Sequence, residues 1–206
     1  MANNEDRPMI IQSDRSILLE TDGPAFEDAR DCLASFAELV KSPEHIHTYR
    51  LTPLSLWNAA AAGLTAPEII TGLETFTKYD IPQNIIVEVE DNIDRYGRLK
   101  LYRGDDDQLV IQSDDEMLIM ELLHHKELQQ YVTGTPDMKR ILVKPGDRGN
   151  VKCALIKIGF PVEDLAGYTE GSPLEINTRE TCLTGKPFSL RKYQIESIAA
   201  FWANGS

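Results

Sequence analysis

Six basic side chains crowd into about twenty positions: Lys139, Arg140, Lys144, Arg148, Lys152 and Lys157. Lys and Arg at that density suit the neutralisation of nucleic-acid phosphates, and they equally suit an ordinary solvated helix face. Thr184-Gly185-Lys186 invites comparison with a phosphate loop, but Glu180 stands where the loop needs its first glycine. Pro187 occupies the position of the magnesium-binding Ser or Thr. His45 and His47 share one face of an extended segment and His124 adjoins His125, yet no Cys or third ligand follows at a zinc-like spacing. Cys32, Cys153 and Cys182 are scattered and odd in number, which suits a reduced, cytoplasmic setting and no disulfide framework. Neither a dinucleotide-binding glycine pattern, a nucleophile elbow nor a His-Glu-x-x-His helix occurs. The chemistry-bearing residues point to binding, with no catalytic residue and no metal site.

Charge says where such binding is permitted. The net charge is −12, and residues 1–134 hold 25 acidic and 11 basic side chains against 8 and 10 in residues 135–206. The first part repels a polyanion; only the second is electrostatically free to touch DNA. No run approaches the roughly 20 apolar residues of a membrane span, and the polar, acidic start does not open a signal peptide. No membrane partner is expected.

The elements that position these residues follow from periodicity and punctuation. Residues 9–11 and 17–19 form a strand pair around a turn, and residues 24–40 place Phe26, Ala29, Leu33, Phe36 and Val40 on one helical stripe. An extended segment over 45–51 leads into three helices. The first opens at Thr52-Pro53 and closes at Gly63; the second opens with the capping box Thr65-Ala66-Pro67-Glu68; the third runs from Pro82 to Gly97. Residues 99–102 and 108–111 then form a hairpin. Three helices followed by a hairpin is the order of a winged helix, here over residues 52–112.

The third helix carries Glu88, Glu90, Asp91 and Asp94 against Arg95, and the wing tip is Asp105-Asp106-Asp107. Carboxylates at both contact points favour protein docking or scaffolding over DNA reading, with Arg98, Lys100 and Arg103 at the wing base as exceptions. A further helix, capped by Ser113 or Asp114, places Met117, Met120, Leu122 and Leu123 on its apolar face. A boundary is expected within residues 131–136. Beyond it, a strand over 139–144, a helix opening at Asp147 and closing at Gly159, and extended pieces over 161–166 and 174–178 make a small βαββ unit. Residues 187–202 make a terminal amphipathic helix capped by Ser189, with Leu190, Tyr193, Ile198 and Phe201 on one face. So little chain follows that face that a longer parent protein is expected. The fold class is α+β: a winged-helix-like N-terminal domain with flanking strands and helices, then the small βαββ unit.

Several segments together resemble the XPB family of superfamily 2 DNA repair helicases. They are Ile10-Ile11-Gln12-Ser13-Asp14 with Ile17-Leu18-Leu19-Glu20, Glu44-His45-Ile46-His47-Thr48-Tyr49-Arg50-Leu51-Thr52, residues 54–64, and Ser189-Leu190-Arg191-Lys192-Tyr193-Gln194. The resemblance is to the compact prokaryotic members. It implies that residues 1–134 are an N-terminal docking domain, that 135–182 correspond to a damage-recognition unit, and that 183–206 begin the first helicase lobe. Arg191 and Gln194 become candidates for approaching the adenine of ATP. The ATP-binding loop and the magnesium-holding motif would lie beyond Ser206. The chain itself then needs no cofactor and cannot hydrolyse ATP, while its parent uses ATP and magnesium as a 3′-to-5′ DNA translocase. Implied partners are DNA, the helicase lobes of the same chain, and a repair or transcription protein. The alternative is a stand-alone winged-helix regulator binding DNA or a transcription protein.

Overall fold

Apolar alternation sets the first sheet. Ile11, Ile17, Leu19 and Tyr49 all point to one face, and a computed structural model of the chain, describing residues 6–104, 108–168, 174 and 179–203, pairs the strands that carry them. Strands β1 (Met9–Ile11), β2 (Ser16–Glu20), β3 (Glu38–Lys41) and β4 (Ile46–Arg50) form an antiparallel sheet in the order β1-β2-β4-β3. Helices α1 (Phe26–Ala34), α2 (Pro53–Ala61), α3 (Ala66–Phe76) and α4 (Gln83–Arg95) complete the core with Leu33, Phe36, Leu56, Ile69, Leu73, Ile85 and Val89. Helix α2 starts where expected, because the Thr52 hydroxyl accepts from Ser55 N at 3.0 Å and Ser55 Oγ accepts from Thr52 N at 3.1 Å. Glu68 closes the corresponding box on α3, accepting from Thr65 N at 2.8 Å.

The helix expected over 24–40 ends at Ala34. The Ser35 hydroxyl donates to Cys32 O at 2.7 Å, taking a carbonyl of the last turn, and residues 38–41 extend to pair with β4. Phe36 keeps its place in the core, whereas Val40 is exposed.

Helices α1 and α3 approach closely at Gly72, where a Cβ would stand 2.8 Å from Cys32 Sγ. Gly72→Ala is therefore expected to lower stability by about 1–2 kcal/mol, the overpacking cost exceeding the helix-propensity gain. Cys32→Ala in the same chain should recover part of it. Urea unfolding of the two single variants and the double variant measures the coupling; additive effects would contradict the contact.

Strands β5 (Leu99–Arg103), β6 (Leu109–Gln112), β7 (Val132–Asp137), β8 (Arg140–Val143) and β9 (Val162–Asp164) build a second sheet in the order β7-β8-β6-β5-β9. Its pairs are antiparallel except β5 with β9. Helices α5 (Glu116–His124), α6 (Lys126–Gln129) and α7 (Arg148–Lys157) cover its inner face, where Leu101, Ile111, Leu118, Leu122, Ile141, Val143 and Leu155 are buried together. Asp115, one residue beyond the expected cap, accepts from Met117 N and Leu118 N at 3.0 and 3.1 Å. That shift turns Leu118, Ile119 and Leu122 inward and leaves Met117 in solvent.

Two groupings expected from the sequence are rearranged. The three helices α2–α4 and the hairpin β5–β6 follow each other as in a winged helix, but the helices bury their faces against the first sheet while the hairpin belongs to the second core. The expected boundary at 131–136 runs into β7, an edge strand of the second sheet. Strands β8 and β9, expected as parts of a separate βαββ unit, flank the hairpin on either side. The reason is registry: Leu109, Val110, Ile111 and Gln112 face Val143, Leu142, Ile141 and Arg140 across a continuous ladder. The wing-tip aspartates 105–107 and residues 175–178, assigned to the last extended piece, lie outside the described residues.

Met1–Gly167 form one compact unit and Tyr168–Ser206 another. In the second, Thr181 bridges Pro187 and helix α8 spans Lys192–Ala203. It starts later than expected. Gln194 Oε1 accepts from Arg191 N at 3.0 Å, so the helix start is capped from within and Ser189 lies outside it.

Candidate functional site

The basic residues of 139–157 are where phosphate contact was expected, and the structure divides them. Arg148 reaches from the first turn of α7 to Asp164 at the end of β9, donating from Nε to Oδ2 at 2.9 Å and from Nη2 to Oδ1 at 2.7 Å. Lys152, one turn further, donates to Oδ2 at 2.9 Å. Burial alone would raise the Asp164 carboxyl, but the hydrogen bonds from Arg148 and Lys152 outweigh it and hold the group below the ordinary carboxylate range. This triad pins α7 onto the sheet edge. Its cations are engaged by protein.

Arg140 is tied to Asp137 across the β7–β8 turn, with Nε donating to Oδ2 at 2.7 Å. Lys139, Lys144 and Lys157 have no ion pair among the described residues. They sit at different corners: Lys139 before β8, Lys144 just after it, and Lys157 at the far end of α7. Three of the six, Arg140, Arg148 and Lys152, are thus paired with carboxylates of the protein. At the wing base, Arg98 binds Asp94 and Arg103 donates to Ala166 O, while Lys100 lines a cavity of about 350 Å³ with Tyr102, Gln112 and Asp114.

The remaining candidates resolve into local structure. Thr184-Gly185-Lys186 lies in a tight turn, with Cys182 N donating to Lys186 O at 2.8 Å and Gly185 at φ +77°. No helix follows Lys186 directly, so these residues do not cradle phosphates and do not fit the triphosphate of ATP. Gln194 spends its amide oxygen on the cap at Arg191, leaving its amide NH₂ outward on an exposed helix. His47 packs edge-on against Phe26 at 5.3 Å, while His45 stands 3.5 Å from Asp22. No cluster of potential metal ligands exists among the described residues. Burial raises the Cys32 thiol, which keeps it protonated and poorly nucleophilic. No helix among the described residues is long and apolar enough to cross a membrane.

What sequence inspection missed is a junction between the two halves of the first unit. Arg95, at the end of α4, lies over the Phe160 ring at 6.0 Å, and Trp57 from α2 is only 5% exposed beside Ile156 of α7 and Val162 of β9. Trp57 carries a buried indole Nε1 without a hydrogen-bond partner. Its presence among alanines in 54–64 was the available signal, but nothing in the local pattern tells which distant element it meets.

A family model described as helicase conserved C-terminal domain matches residues 9–135. Over 98% of its length the chain is 41% identical to the DNA 3′-5′ helicase XPB of Kineococcus radiotolerans and to that of Mycobacterium tuberculosis, covering 35% and 36% of those proteins. It is 29% identical over the same share to the general transcription and DNA repair factor IIH helicase/translocase subunit XPB of Enterocytozoon bieneusi, covering 33% of it. The chain thus spans about a third of the length of these curated relatives.

Proposed function

Because the chain belongs to the helicase conserved C-terminal domain family and is similar from end to end to a third of XPB helicases, we propose that it is an accessory, non-catalytic portion of an XPB-like DNA repair helicase. One observation carries the reading. Both sheets are antiparallel apart from the β5–β9 pair, and no glycine-rich loop joins a strand to a helix start among the described residues. Nucleotide-binding helicase lobes need a parallel sheet with a phosphate loop at its strand ends, and this architecture supplies neither. ATP and magnesium would be held by other parts of the parent, and positioning them is most of phosphoryl transfer.

The acidic part, residues 1–134, serves protein docking, either on the helicase lobes of the same chain or on a repair or transcription protein. Its charge disfavours a bare duplex. Within the region likened to a damage-recognition unit, Lys139 and Lys144 are the residues left for DNA, since Arg148 and Lys152 are engaged with Asp164 and Lys157 lines the junction beside Trp57. The purified chain, given ATP, magnesium and single- or double-stranded DNA, is expected to release no phosphate above background. DNA-stimulated turnover by the chain alone would overturn the assignment.

A further inference from the structure

The junction around Trp57 combines features that the helicase reading does not use. Two adjoining cavities, of about 430 and 290 Å³, share Leu54, Trp57 and Ile156 as walls. Leu54 and Ile156 are apolar side chains left partly in water, at 45% and 39% exposed. Trp57 is almost wholly buried and forms the floor the two cavities share.

The charges on the rim are unequal in kind. The two carboxylates are already engaged: Glu38 accepts from the Thr52 hydroxyl at 2.7 Å, and Asp164 from Arg148 and Lys152. Two cations on the larger cavity lack a carboxylate among the described residues. Arg95 rests over Phe160 and reaches only Gly159 O at 3.5 Å, while Lys157 has no partner among them. Arg95 belongs to the part with 25 acidic and 11 basic residues, and Lys157 from the other part stands on the same apolar recess, so two cations without a carboxylate meet where the two parts adjoin.

We propose that this junction is a docking groove for a protein segment that carries an aliphatic side chain next to carboxylates. The aliphatic group lies against Leu54, Trp57 and Ile156, and a carboxylate sits between Arg95 and Lys157. The apolar walls disfavour a phosphodiester backbone, which needs a row of cations rather than two. The groove rests on the docking reading above and gives it a location.

The test pans a displayed library of random dodecapeptides against the intact chain and synthesises the most enriched sequence with a fluorescent label. Enriched peptides should pair Asp or Glu with Leu, Ile or Val. Binding of the labelled peptide should weaken about tenfold or more in R95E/K157E and in L54D, the scale of losing a charge-assisted or apolar anchor. Enrichment of basic peptides, no enrichment, displacement of the peptide by a single-stranded DNA dodecamer, or equal affinity in L54D would each overturn the groove. Failure of the accessory-module reading would appear separately, as ATP turnover by the chain.

Discussion

Asp164→Asn is expected to remove about 3 kcal/mol from the stability of the first unit, because it strands the charges of Arg148 and Lys152 against an amide. Asp164 and Arg148 expose only 12% and 19% of their side chains, so water screens this pair weakly. Asp137→Asn breaks a contact of the same chemistry, Asp137 with Arg140, but both partners are about half exposed and screened by water, so the loss should be much the smaller of the two. Urea unfolding at neutral pH compares the two. The pH dependence follows from the lowered carboxyl of Asp164. A group whose folded pKa lies below its unfolded value stabilises fully above the unfolded value. That contribution disappears as pH falls from the ordinary carboxylate range, near 4, through the lowered one. The difference in stability between the native chain and Asp164→Asn should therefore be constant around neutrality and shrink in acid. A difference that grows on acidification would contradict the ion pair.

Ending the chain at residue 134 is expected to unfold the second half of the first unit while sparing the first half. That cut removes β8, which pairs with β6, and β9, which pairs with β5, together with α7 above them. Leu99, Leu101, Leu109 and Ile111 then lose their cover. At about 2 kcal/mol each the loss is roughly 8 kcal/mol, as large as the whole stability of many domains. An isolated hairpin does not persist in water. By contrast, all the buried members of the first core lie between Met9 and Val89 and survive the cut. Hydrogen exchange should show residues 1–167 protected in both halves, and residues 1–134 protected only up to α4. Protected amides in 99–112 of the shorter chain would show that the hairpin belongs with the helices before it.

That second result touches what could be read from the chain alone. Local signals were reliable where a cap or a turn decides matters on its own. Thr52-Pro53, Thr65 with Glu68, and glycines 63, 97 and 159, all at positive φ, mark helix ends as expected. Partner choice was not legible. Residues 109–112 carry an alternation that fits any sheet, and only registry with 140–143 decides which one they join. Likewise, the six basic residues share a density that the sequence displays. Whether Arg148 and Lys152 face solvent or Asp164, twelve or more positions away, depends on a helix crossing a sheet edge. The Trp57 junction was invisible for the same reason: its walls come from α2, α4, α7 and β9, which no local pattern links.

The path from β8 through α7 to β9 strides over two strands already laid down, so the centre of the second sheet is made by residues translated before its flanks. On a ribosome, the first core can close once α4 has emerged. The hairpin that follows must wait, its greasy side bare, until about fifty further residues have left the exit tunnel. Vectorial synthesis thus gives this chain a vulnerable interval. The acidic run that follows the hairpin, Asp114-Asp115-Glu116, leaves the tunnel during it and supplies a charge that discourages neighbouring nascent chains from pairing there.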